Sequence, residues 1–182
     1  MEHTNPWTTL NSRIAYANEW MRVREDDVLR PDGQPGIYGV VEIRPSVGVL
    51  ALNEREEVAL VGQWRYPLRR YGWEIVRGGS LEGETDMVAV ARRELREETG
   101  YDAESWFPLG AVDVNNGVTT DVQHLFVARE LRFAGTHLDP VEDIVSMWVA
   151  FDGAVRMALD GGITEVCSVA AVLRYAMAGR AI

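Results

Sequence analysis

Glu94, Glu97 and Glu98 crowd three like charges into one short stretch, and any fold of this chain must hold them together. At roughly 100° per helical residue they fall within an arc of about 100°, with Arg93 just outside it. Two carboxylates about 4 Å apart repel by roughly 4 kcal/mol at an effective dielectric near 20, a cost that a divalent cation removes. Charged pairs on an exposed helix stabilise by only about 0.2 to 0.5 kcal/mol, and Arg93 with Glu97, or Arg92 and Arg96 with nearby acids, also fit such a surface. Periodicity alone leaves both readings open, a metal site and a solvated charged face.

The flanking residues predict that this helix is packed and sharply bounded. Thr85 and Asp86 can cap or charge its start, Val88, Ala91 and Leu95 form an apolar stripe beside the acidic arc, and Gly100 can stop it in a left-handed conformation. Ahead of it, Gly78 and Gly79 permit positive φ and close backbone approach. This is neither a P-loop nor a dinucleotide fingerprint, since GK[ST] and GxGxxG are absent.

The segment GSLEGETDMVAVARRELREETGY, Gly79 to Tyr101, resembles the signature box of the Nudix hydrolases. That pattern is a glycine, five residues, Glu, seven residues, then Arg-Glu-apolar-any-Glu-Glu-any-Gly-apolar. Gly79, Arg93, Glu94, Leu95, Glu97, Glu98, Gly100 and Tyr101 match it in register. The resemblance implies an α+β fold, a mixed sheet between helices, and hydrolysis of a diphosphate joined to another group with Mg²⁺ or Mn²⁺. It makes Glu94 and Glu98 metal ligands, Glu97 a third ligand or water-orienting group, and Arg93 the residue that fixes the carboxylates. The carbonyl of Gly78 is then placed toward the metal and the amide of Gly79 toward phosphate. One position departs: the early glutamate of the pattern falls on Thr85, with Glu84 one residue before it. Either Glu84 reaches the same place along a shorter loop, or Arg93 has lost a carboxylate partner.

Taken in order, the chain reads as an N-terminal β extension over residues 1–44 and a Nudix domain over 45–182. Residues 13–29 alternate partially, ArgProAspGly at 30–33 turns the chain, and 37–43 return, giving an antiparallel hairpin. In the sugar-nucleotide branch of the family a similar sheet exchanges with a second subunit, which implies a homodimer and offers Trp20, Tyr16 or Trp7 for stacking on a base. SVGVLALN at 46–53 and EVALVGQWR at 57–65 are expected to pair as the centre of the main sheet. The lead-in QWRYPLRRYGWEIVRGG, Gln63 to Gly79, resembles that of ADP-ribose and sugar-nucleotide pyrophosphatases, with Val76 where those usually have proline. By that resemblance Arg65 binds substrate and Glu74 supports the metal; the alternative is an Arg–Glu bridge between strands.

Strands are expected at 105–114 and 121–130, with His124 as a sheet residue. Asp139, Glu142 and Asp143 follow on a loop where the branch carries a mobile glutamate, so Glu142 is the candidate general base, with Glu97 and Glu98 as rivals. Helices are expected at 151–162 and 165–178, Glu165 starting the second.

A net charge of −10 argues against a nucleic-acid surface. One cysteine, Cys167, excludes an internal disulfide and fits helix packing. No apolar run approaches ~18 residues and no basic region precedes an apolar one at the N-terminus, so neither a membrane span nor a signal peptide is expected, and the cytoplasm is the default. The resulting expectation is a Mg²⁺-dependent enzyme splitting an NDP-sugar or ADP-ribose into NMP and sugar phosphate. Its rivals are a pyrophosphatase acting on nucleoside triphosphates and a Nudix-fold protein that binds without turnover.

Overall fold

A computed structural model describes residues 4–135 and 143–179. The chain divides into two compact units: one runs to Arg44 and takes in Asp113–Asp121, and the other holds Pro45–Val112 and the chain from Val122 on.

The first unit is a three-stranded antiparallel meander of β1 (Thr8–Ala17), β2 (Met21–Leu29) and β3 (Pro35–Ile43). The stretch 13–29, expected to be one strand, is therefore two. Asn18 breaks it: its side-chain oxygen accepts from the amides of Trp20 at 2.9 Å and Met21 at 2.8 Å, folding the chain back on itself. Alternation of side chains survives this turn, so periodicity alone does not register it. The second turn forms where expected, with Gly33 at φ 77° and its amide on Arg30 O at 2.8 Å. Asp113–Asp121, expected only to link two core strands, lies against β3: Tyr38 Oη donates to Gly117 O at 3.0 Å, and Ile43 N donates to Thr120 Oγ1 at 3.0 Å.

The second unit is a six-stranded mixed sheet in the order β7-β8-β4-β6-β5-β9. Its strands are β4 (Ser46–Ala51), β5 (Glu57–Arg65), β6 (Arg70–Gly79), β7 (Tyr101–Asp113), β8 (Val122–Phe133) and β9 (Val145–Ala150). The helices are α1 (Met87–Thr99), α2 (Phe151–Asp160) and α3 (Val166–Met177). The expected pairing of β4 with β5 is corrected. β6 runs between them, antiparallel to both, β4 pairs in parallel with β8, and the two consecutive segments meet at their turn, through a Leu52–Val58 bridge and hydrogen bonds between Asn53 and Glu57. Every residue of β4 is buried, and a strand covered on both faces reads as an unbroken apolar run that names no neighbour. β7 also begins four residues earlier than expected, directly after the helix-stopping glycine.

The sheet lies between helices, as the sequence implied. Val90, Ala91 and Leu95 of α1 close one face against Val47, Val49, Val61, Val76 and Phe126. Phe151 of α2 and Tyr175 of α3, both fully buried, meet edge-on at 5.0 Å, and Cys167 is buried at the start of α3. Among the described residues no helix is long and apolar enough to cross a membrane.

α1 is fixed at both ends. Asp86 accepts from the amides of Val88 at 3.0 Å and Ala89 at 3.3 Å, and Gly100 at φ 76° sends its amide to Arg96 O at 2.9 Å. A Cβ on Gly100 would lie 2.9 Å from the Phe133 ring, so packing as well as φ demands glycine there. We expect Asp86→Ala to lower unfolding free energy by about 1 kcal/mol with the native spectrum kept. Urea melts followed by circular dichroism check this, and an unchanged midpoint would show that the cap carries no weight.

Candidate active site

α1 separates its three acids by burial. Glu94 and Glu98, one turn apart, are buried, whereas Glu97 is half-buried, its side chain 43% exposed against 11% for that of Glu94. The buried pair faces β6. Glu98 Oε2 accepts the backbone N–H of Arg77 at 3.2 Å, and the Glu94 carboxylate occupies the space a side chain at Gly78 would need: a Cβ there would lie 2.0 Å from Glu94 Cδ. Gly78 therefore serves the site by lacking a side chain, a steric role that its sequence position alone does not reveal.

Arg93 gathers the remaining charge. Its Nη1 donates to Glu94 Oε1 at 2.7 Å and Glu97 Oε2 at 2.9 Å, and its Nη2 to Gly79 O at 2.9 Å and Glu84 Oε2 at 3.3 Å. Partial burial pulls the guanidinium pKa down, but contacts with Glu84, Glu94 and Glu97 outweigh it and hold it above the ordinary arginine value. Glu84 thus does reach Arg93. Its other contact is the Leu81 amide at 2.7 Å, which, with Arg93 and against burial, holds the Glu84 carboxyl below the usual range. Glu84 and Leu81 close a tight turn through Gly83, at φ 85°, and this turn takes up the one-residue difference in the loop.

A second charged chain runs beside the first. Arg65 grips Glu74 with two hydrogen bonds, one of them Nε to Oε1 at 2.7 Å, so the bridge between strands is present. Glu74 alone heads the causes that raise the Arg65 pKa, with burial opposing and Glu98 and Glu165 contributing at longer range. Arg77 Nη1 stands 3.5 Å from Glu74 and 3.4 Å from Glu165. Glu165 caps α3, accepting from the amides of Cys167 at 3.0 Å and Ser168 at 2.7 Å. Burial drives its pKa up, yet Arg77 and these amides bring it below the ordinary value. Arg77, not singled out by sequence reasoning, ties this second chain to Glu98 through its own amide. The available signal was a cation directly ahead of the glycine pair.

Trp20 belongs to the first unit, in the β1–β2 turn, 70% exposed. Glu142, with Asp139, lies outside the described residues.

The donor set fits a magnesium or manganese ion held openly. Among the described residues no three acidic, histidine or cysteine side chains converge into a closed cage. Mg²⁺, however, commonly takes one or two carboxylates and completes its shell with water and substrate phosphate oxygens. Glu94 and Glu98 offer hard oxygens of that kind. Glu94 shares Arg93 with Glu97 and Glu84, and Glu74 is held by Arg65.

Residues 42–167 match the NUDIX domain family, and residues 7–41 match the nucleoside diphosphate sugar hydrolase N-terminal domain. The chain belongs to the Nudix superfamily. It falls in the ADP-ribose and NDP-sugar pyrophosphatase branch. An ADP-ribose pyrophosphatase of Bacillus subtilis is 32% identical over 72% of this chain and 72% of its own length. One from Mycobacterium tuberculosis is 29% identical over 91% and 81%, and a methanol dehydrogenase activator of Bacillus methanolicus is 29% identical over 90% and 89%. The crystal structure of an ADP compounds hydrolase, 18% identical, superposes with a TM-score of 0.85 over all of this chain and 99% of its own, and so shares the fold. The protein is accordingly a Nudix-fold hydrolase of diphosphate-containing nucleotides, and Gly79 to Tyr101 is its Nudix box.

The Gly78–Glu94 contact yields a sharp expectation. Gly78→Ala should cut kcat by roughly 10-fold or more while secondary structure persists, because the added methyl displaces a buried carboxylate. Steady-state kinetics beside a thermal melt decide it; wild-type turnover would show that Glu94 need not sit where it does.

Proposed function

We propose that this enzyme hydrolyses the diphosphate bond of a nucleoside diphosphate sugar, an ADP-ribose, ADP-sugar or GDP-sugar, with Mg²⁺ or Mn²⁺, releasing NMP and sugar phosphate. The observation that carries this is the buried Glu94–Glu98 pair against Gly78, in a chain whose residues 7–41 match an N-terminal domain of nucleoside diphosphate sugar hydrolases. Two relatives named as ADP-ribose pyrophosphatases support the substrate class.

Glu94 and Glu98 would hold the ion. When bound, it supplies positive charge to the diphosphate and acidifies water. Arg93 keeps the Glu94 carboxylate in one orientation and stays protonated throughout the working pH range. Glu97, although bonded to Arg93, is the most exposed of the three acids on α1 and so has the readiest access to solvent, which is why it is the described carboxylate assigned to take a proton. Arg65, fixed by Glu74, presents the rest of its guanidinium edge to the diphosphate.

Products decide the class. With Mg²⁺, ADP-ribose, ADP-glucose and GDP-mannose should each be tested beside dGTP, and NMP plus sugar phosphate should appear from at least one of the first three. Turnover of dGTP alone, giving NMP and pyrophosphate, would move the enzyme to the triphosphate pyrophosphatases.

Roles within the box separate by mutation. Glu98→Gln should lower kcat by roughly 100-fold or more and weaken Mn²⁺ binding, since it removes a metal-holding charge. Glu84→Gln should keep Mn²⁺ binding near wild type and lose less activity, because its carboxylate serves Arg93 and the Leu81 turn. Equal loss of Mn²⁺ affinity in both would assign Glu84 to the metal instead.

A further inference from the structure

The second charged chain borders a cleft of about 190 Å³, walled by Leu68 and Trp73 and edged by Arg65, Arg70, Arg77 and Thr164. Its three arginines are not equivalent. Arg65 is committed to Glu74, and Arg77 is shared between Glu74 and Glu165. Arg70 stands 3.0 Å from Thr164 Oγ1, a neutral oxygen, and among the described residues that hydroxyl is its one hydrogen-bond partner. The two carboxylates of the cleft are engaged by arginines and helix amides, and among the described residues Arg70 is the one arginine of the cleft whose charge is not set against a carboxylate.

Size narrows the ligand. Pockets that enclose a drug-sized molecule run from about 300 to 1,000 Å³, so this cleft takes one part of a nucleotide sugar and not the whole. Its chemistry is a guanidinium and a hydroxyl at the rim with an aromatic and an aliphatic wall. Such a rim suits phosphate oxygens and sugar hydroxyls, while Trp73 suits the apolar face of a sugar ring. The carboxylates that might read the N–H groups of a base are already engaged by arginines and helix amides.

We propose that this cleft is the subsite for the sugar-phosphate half of the substrate, with Arg70, steadied by Thr164, as its anion anchor and a determinant of specificity. The inference rests on the NDP-sugar reading above. Arg70 takes no part in bond breaking. It sets how tightly the distal phosphate and its sugar are held, and the released sugar phosphate leaves from the same place.

Arg70→Met keeps the aliphatic stem and removes the charge. With ADP-ribose as substrate, KM should rise roughly 10-fold or more, the range expected when one charge-assisted contact is lost, with a much smaller change in kcat. Inhibition by ribose 5-phosphate should weaken in parallel while inhibition by AMP stays as in wild type. Arg70→Lys should recover part of both. Calorimetric titration of ribose 5-phosphate into wild type and Arg70→Met gives the same comparison without turnover. Unchanged KM and unchanged ribose 5-phosphate binding in Arg70→Met would overturn the assignment, as would a loss of AMP inhibition, which would place the nucleoside half in the cleft. If wild type hydrolyses no nucleoside diphosphate sugar, the functional reading fails on its own. The calorimetric arm still judges the cleft: no ribose 5-phosphate binding to wild type overturns it too.

Discussion

Holding like charges together in a partly dry place is the constraint on which this structure depends. Two carboxylates on adjacent turns of α1 are buried, and burying an uncompensated charge costs several kcal/mol. The fold meets that cost with one cation and one strand. Arg93 binds Glu94, Glu97 and Glu84 together, and β6 offers an amide to Glu98 and an absent side chain at Gly78. The strand end without a side chain and the helix of acids explain each other: the carboxylate of Glu94 sits where a Cβ on Gly78 would be.

β6 does more than fill the sheet. It lies between β4 and β5, carries Arg70, Trp73, Glu74 and Arg77, and ends in the glycine pair at the box. Its position is tied to α3 through buried Ser168, whose hydroxyl accepts the Ile75 amide at 3.1 Å and donates to Glu165 at 2.7 Å. A shift of α3 would therefore reach Arg77, and through the Arg77 amide it would reach Glu98. The buried acids of the site are thus each held by a partner on an element that is itself packed.

Much of this was legible in the chain. The helix and its two ends followed from Asp86, the apolar stripe and Gly100, since caps and periodicity are local properties. The box followed from spacing. The strand neighbours did not, because the buried stretches of β4 and β5 are apolar runs that name no partner, and the β6 segment contests the place between them only in three dimensions. The turn at Asn18 was hidden for a different reason: a side chain accepting two amides leaves no mark on hydrophobic alternation. Glu84 stood one residue out of register in the sequence, yet reached Arg93 because the Leu81–Glu84 turn shortens the path.

The sequence by itself determined the chemistry available: which carboxylates share a helical arc, which arginine accompanies them, where glycine permits close approach, and the family to which that spacing belongs. Those are properties of residues near one another along the chain. Tertiary structure decided what each group does, because burial and partnership arise between segments far apart in sequence. It buried Glu94 and Glu98 but left Glu97 partly exposed, committed Arg65 to Glu74, and brought Thr164 to Arg70 across the chain. An ion pair or a cleft needs a second surface, and only the folded sheet supplies one.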